Sequence, residues 1–173
     1  MIEPAIQGLL DKQACTELVY KLARAIDRCD AELLTSLFHP DATDDHGVFV
    51  GTAADFATWV MPVLHSMKRT QHVVGNVLIT LDGDKAYGES YFIAHHTVAQ
   101  AGGDDIFTLA AGRYLDRFER RGGEWRIAHR HADYDWNSTV PSTDTWDRTN
   151  PGAMTYCRRA PEDLSYSHFA GIL

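Results

Sequence analysis

Leu10, Ala14, Leu18, Leu22, Ile26 and Cys29 recur every three or four residues, the spacing of a helix with one apolar face. The pattern predicts a long helix over residues 5–29. A shorter one follows in "RCDAELLTSLFHPDA": Asp30 is placed to cap it, Leu33, Leu34, Leu37 and Phe38 form its apolar face, and Pro40 falls just past its end. "TDDHGVFVG" reads as a strand ending at Gly51. "TAADFATWVMPVLHSM" reads as a third helix, capped by Thr52, with Phe56, Trp59, Val60, Val63 and Leu64 turned inward and Pro62 as a kink or a break.

From residue 70 the chain changes character. Strands are expected over 70–81, 85–99 and 105–119 and in "WRIAHRHADYDW", joined by "DGDK", "QAGGDD" and "RRGGE", whose Gly and Asp residues are hairpin signals. Helices first, then a meander of long strands, predict an α+β fold with the helices packed on one face of a curved antiparallel sheet. Such a cone has an apolar interior suited to a small molecule. Beyond residue 137 the periodicity fades, and one short helix is expected from Pro161. The chain thus divides into a domain over 1–136 and an extension over 137–173. Trp146, Tyr156, Tyr166 and Phe169 are too many aromatics for a free tail; the extension is expected to dock on the pocket mouth or on a neighbouring subunit.

Composition narrows the function. The 173 residues are 45% hydrophobic, enough for one packed domain with an extension. A net charge of −8 and a pI near 5.5 argue against nucleic-acid or anionic-membrane partners; Arg120-Arg121 and Arg158-Arg159 are too short to reverse that. No apolar run is long enough to cross a membrane, and "MIEPAIQGLLDKQ" lacks the basic start of a secretory signal. Cys15, Cys29 and Cys157 show no C-x-x-C spacing, so neither a disulfide framework nor a zinc site is expected. These features together predict a cytoplasmic protein.

Four polar places could carry chemistry. Asp27 lies roughly 100° around the first helix from the core residue Ile26. Tyr20 and Ala23 share its stripe, and a small Ala23 leaves room beside the carboxylate. A solvated aspartate near a helix end, where an acid is electrostatically unhelpful, fits the same residues. His72, in "RTQHVVGN", sits on an expected strand face with Val74, Asn76 and Leu78; it is either a hydrogen-bonded structural histidine or a base. His95 and His96 are adjacent, so only one can face a given pocket, and His96 shares its face with Phe92 and Ala94. In "HRH", His129 and His131 share one face and Arg130 takes the other; an interior Arg must be paired or bind an anion. Asp44, Asp45 and His46 raise the question of a metal, but H-x-x-x-H and H-E-x-x-H are absent and no metal site is expected. G-x-S-x-G, G-x-G-x-x-G and the P-loop are absent too. Acid/base work without a cofactor remains: a histidine in an apolar pocket, oriented by a carboxylate, is a workable base near neutral pH.

Three stretches, "LVYKLARAIDRCDAELLTSLFHPDA" (18–42), "RTQHVVGNVLI" (69–79) and "GRYLDRFERRGGEWRIAHR" (112–130), resemble the NTF2-like superfamily in its SnoaL-like branch. The resemblance covers roughly residues 5–136 and is nearest to the group of hexachlorocyclohexane dehydrochlorinase, scytalone dehydratase and bile-acid 7α-dehydratase. It implies the NTF2-like cone. In the dehydratase-like members an aspartate of the first helix and a strand histidine form a catalytic dyad, which falls on Asp27 and His72. A second active-site histidine falls on His96, and a pocket arginine on Arg130, with Arg113 as second choice. The dehydrochlorinase's pocket lysine falls on Leu22, a departure that weighs against dehydrochlorination itself. Tyr20, Ala23, Trp59, Leu64, Val74 and Asn76 are the expected substrate-binding walls. The implied activity is a cofactor-independent lyase, dehydration or a related β-elimination on a small, largely apolar molecule. Alternatives are an isomerase or cyclase of a polyketide- or steroid-like substrate, and a non-catalytic ligand-binding or assembly module such as the β-subunit of ring-hydroxylating dioxygenases. A homo-oligomer is expected, because Tyr87, Tyr91 and Ile93 alternate with Phe92 and Ala94 and make both sheet faces apolar; the resemblance favours a trimer over a dimer.

Overall fold

Pro4 opens helix α1 (Pro4–Arg28) in the first turn, where a missing N–H costs nothing. The computed structural model describes residues 3–150, 152 and 154–169. Cys15, Leu18, Val19, Leu22, Ala25 and Ile26 form the buried stripe of α1. The helix ends at Cys29, in the left-handed conformation at φ 51°, which turns the amides of Cys29 and Asp30 back onto the carbonyls of Ile26 and Ala25 at 3.1 and 2.8 Å. Asp30 then caps α2 (Ala31–Ser36), accepting from the Leu33 amide at 2.9 Å.

The strand expected before Gly51 is two strands. β1 (Phe38–Asp45) begins well before that expectation, the chain reverses near Gly47 at φ 72°, and β2 (Val50–Thr52) pairs back antiparallel. Thr52 caps α3 (Ala53–Ser66), which runs on through Pro62. Phe56, Ala57, Val60 and Leu64 are buried. Trp59 is not turned inward as expected: it lies at the margin of that stripe, 37% exposed and stacked on Phe49 at 5.3 Å.

β3 (Arg69–Asp82), β4 (Lys85–Val98), β5 (Ile106–Arg121) and β6 (Glu124–Pro141) form the antiparallel meander. The curved, unclosed six-stranded sheet has the order β2-β1-β6-β5-β4-β3, with β1 parallel to β6. The main core joins the inner faces of α1, α2 and α3 to Ile79, Ala86, Phe118 and Ile127 of the sheet. This is the predicted α+β cone.

The meander carries three bulges, the third of them at Ala128 of β6, between the partners of Arg117 and Phe118. Val74 pairs with Phe92 but Val77 with Ser90, so β3 carries one extra residue at Gly75–Asn76, and its alternation reverses there. His72 and Val74 face inward before the bulge, Val77, Ile79 and Leu81 after it, while Leu78 is 66% exposed. Asn76 and Leu78 therefore do not share the face of His72, contrary to the simple alternation. The second bulge places Asp135 as the extra residue of β6 opposite Gly112. A Cβ at Gly112 would meet the Asp133 carbonyl oxygen at 2.0 Å, so only glycine permits this approach.

β6 continues past Trp136, because Asn137–Pro141 pair with Ala110–Ile106. Those residues are exposed, so no burial pattern marks them as strand. α4 (Leu164–His168) starts later than expected, with Asp163 as its cap. The tail lies along the end of α1: the Ala160 amide donates to the Arg28 carbonyl at 2.7 Å, Arg24 Nη1 to Ser165 Oγ at 2.9 Å, and the Tyr166 hydroxyl to Asp30 Oδ2 at 2.5 Å. Among the described residues no helix is long and apolar enough to cross a membrane.

Candidate active site

β3 is an outer strand, paired with β4 on one side only. Its free edge presents N–H groups that need acceptors. The last turn of α1 brings Asp27 to that edge. Asp27 Oδ2 accepts from the main-chain N–H of His72 at 2.7 Å, and Oδ1 lies 2.8 Å from His72 Nδ1. Both side chains are 8% exposed. Burial by itself would raise the Asp27 carboxyl, but the hydrogen bonds and charge of His72 outweigh it and hold the group below the usual carboxylate range. Because a carboxylate only accepts, the Nδ1 of a neutral ring carries the proton and Nε2 keeps its lone pair.

His96 stands beside this pair. Its ring is 5.7 Å from that of His72, edge to face at 82°. His95 points the other way and meets Phe107 at 5.3 Å. Burial first, and then the neighbouring His72, bring His96 down to about 4 from 6.5. The folded protein therefore holds His96 neutral where the unfolded chain would take up a proton. Stability is fully present above about pH 6.5 and falls as the pH drops through about 4, by roughly 3 kcal/mol in all. Urea unfolding of wild type and His96→Leu at pH 4–7 should show the slope flattened in the variant; identical slopes would show that folded His96 is already protonated.

Tyr20, Ala23, Asp27, His72 and Val74, with Arg24 and Arg28, line a cleft of about 380 Å³ between α1 and the free edge of β3. Ala94, the register partner of His72, belongs to a small buried cluster with Phe92, Tyr114 and Ala132 that is separate from the main core. The Asp27–His72 pair therefore stands between this cleft and an apolar wall. Other expected wall residues are placed elsewhere. Leu64 is packed in the core, Trp59 sits against Phe49, and Asn76 lines an outer-face hollow with Val73, Tyr91 and Trp136.

Arg130 is interior but engaged. It is 1% exposed, its Nε and Nη2 each donate to Asp116 at 2.7 Å, and its guanidinium lies 4.0 Å from the Tyr114 ring centre. Its fork is occupied by a carboxylate rather than open to an oxyanion. Arg113 is on the other face, with Glu89 at 3.3 Å and Asp133 at 2.5 Å. Among the described residues no group of three or more His, Cys, Asp or Glu could hold a metal; Asp44 and His46 hydrogen-bond to each other.

Sequence reasoning missed Arg159. Its Nη1 donates to the Asp27 carbonyl and to Thr70 Oγ1, each at 2.6 Å, and its Nη2 reaches the Leu64 and Met67 carbonyls at 3.3 and 3.4 Å. No motif ties residue 159 to residue 27; only the path of the tail does.

Residues 7–131 match the family described as SnoaL-like domain. An uncharacterised protein of Mycobacterium tuberculosis (strain ATCC 25618 / H37Rv) is 27% identical over 129 residues, 73% of this chain and 86% of the relative. The hexachlorocyclohexane dehydrochlorinase LinA-type3 of Novosphingobium barchaimii LL02 has a similar fold, with a TM-score of 0.70 at 18% identity, covering 79% of this chain and 94% of that one. A protein of Novosphingobium aromaticivorans DSM 12444 named for scytalone dehydratase superposes with a TM-score of 0.68 at 19% identity, over 78% of this chain and 90% of that one. At such identities the structures speak for the fold alone. The match to residues 7–131 covers most of the cone, from the first helix through the Asp27–His72 pair to β6, and the chain belongs to the SnoaL-like domain family.

Proposed function

We propose that the protein is a cofactor-independent lyase that removes water, or a comparable leaving group, from a small, largely apolar molecule. The observation that carries this reading is the two-point hold of Asp27 on His72, which leaves Nε2 as the free nitrogen. His72 Nε2 takes a proton from carbon, the C–H electron pair becomes the new double bond, the hydroxyl departs with its own bonding pair, and the imidazolium returns its proton to that oxygen so that water leaves and the base is restored. Asp27 stabilises the imidazolium that forms, an interaction strengthened by its buried surroundings. Neutral His96 donates a hydrogen bond to the oxygen on which charge develops. Position 22 supports water over chloride as leaving group, since the dehydrochlorinase lysine is replaced by Leu22, which is fully buried.

The test is a panel of β-hydroxy ketones on two- and three-ring frames, incubated with the protein in D2O and followed by NMR and mass spectrometry. The expected result is an α,β-unsaturated product for at least one member, absent with His72→Ala. Binding with neither product nor deuterium exchange at carbon would replace this reading by an inert ligand-binding module.

A further inference from the structure

We propose that Arg159 is a positioning residue of the active site: it fixes the last turn of α1 against the start of β3 and so sets how Asp27 meets His72. The last four carbonyls of a helix have no partner within it. In α1 these belong to Ala25, Ile26, Asp27 and Arg28. The amides of Asp30 and Cys29 serve the first two. The tail serves the others, with Arg159 Nη1 on the Asp27 carbonyl and the Ala160 amide on that of Arg28. The same guanidinium donates to Thr70, which lies two residues before His72 on its inward face, and reaches the end of α3 through Leu64 and Met67. One planar, rigid fork thus ties together the backbone under the aspartate, the strand bearing the histidine, and a third element.

The tail does not depend on Arg159 for its attachment. Arg28 Nη1 donates to Asp163 Oδ2 at 3.4 Å and to the Arg158 carbonyl at 2.9 Å, and Arg24 and Tyr166 hold α4. Replacing Arg159 therefore removes the clamp and leaves the strap in place.

The inference rests on the dyad reading, and its test needs no substrate. The His72 amide proton, donated to Asp27 Oδ2, reports the pairing directly through hydrogen exchange by NMR on the full chain. The Tyr114 amide in β5, a strand flanked on both sides, reports global opening. In Arg159→Met the His72 exchange rate is expected to rise about tenfold or more while that of Tyr114 stays within about twofold. Equal rises at both sites would reduce Arg159 to a contributor to overall stability, and no rise at His72 would remove its positioning role; either overturns the proposal. Should Arg159→Met not fold, Arg159→Lys, with one ammonium in place of the fork, is expected to give a smaller rise confined to His72, with the same two overturning results. A loosened His72 in a protein that turns over no member of the ketone panel would leave the clamp standing and remove the lyase.

Discussion

Asp27→Asn is expected to lower turnover of a confirmed substrate by about 100- to 10,000-fold. The substitution keeps the shape and changes the hydrogen-bond count. Asp27 accepts twice from one residue, from the His72 amide and from its Nδ1. Asparagine has one acceptor oxygen and one donor nitrogen. Whichever way it turns, one contact sets donor against donor, unless the imidazole moves its proton to Nε2, the nitrogen required as base. His72→Ala should cost at least as much. The double variant should be little worse than the worse single one, because a base and its orienter act as a unit. Small, additive losses, or an intact Asp27→Asn enzyme, would sink the dyad.

The second large effect is on stability. Arg130→Met is expected to cost about 3–5 kcal/mol, the usual consequence of removing one partner of a buried ion pair. Asp116 is 4% exposed, and Asp44, aligned with Arg130 on β1, is 1% exposed with its Oδ2 unpartnered. Without the guanidinium, two carboxylates would remain in the interior facing no cation from that strand. Adding Asp116→Leu should recover part of the loss. Urea unfolding of the single and double variants reads both. A stable Arg130→Met protein that instead lost turnover would show that Arg130 works on substrate and that the Asp116 pair opens to let it.

Most elements were legible because their apolar residues repeat at helix or strand spacing. The departures have local causes. β1 was hidden by Pro40, which sits where its pairing with β6 is interrupted between Phe38 and Thr43 and so interrupts no ladder. The end of β6 was hidden because Asn137–Pro141 pair through the backbone while their side chains stay exposed. Asp27 was ambiguous on helix geometry alone, and the family resemblance singled it out. What puts it in position is that β3 is an edge strand, a fact of sheet order that no window of sequence contains. Arg159 was illegible for a similar reason, since its partners come from α1, α3 and β3 at once. For Arg130 the sequence posed a condition, that an interior arginine must be paired or bind an anion, and could not name the partner: Asp116 lies on a neighbouring strand in a register that the sequence does not state.

The extra residue at Gly75–Asn76 gives β3 something like a frameshift. Upstream of it the strand is written in the frame of the cleft beside α1, with Thr70, His72 and Val74 inward; downstream it is written in the frame of the core, with Val77, Ile79 and Leu81 inward. The two halves can vary independently as long as the insertion between them is kept. Loss of a single residue there would merge the frames, and the strand would have to surrender either the histidine or its three core side chains to solvent. Substitutions on either side are therefore tuned locally, whereas a one-residue deletion between them sets the pocket and the core in competition for the same face.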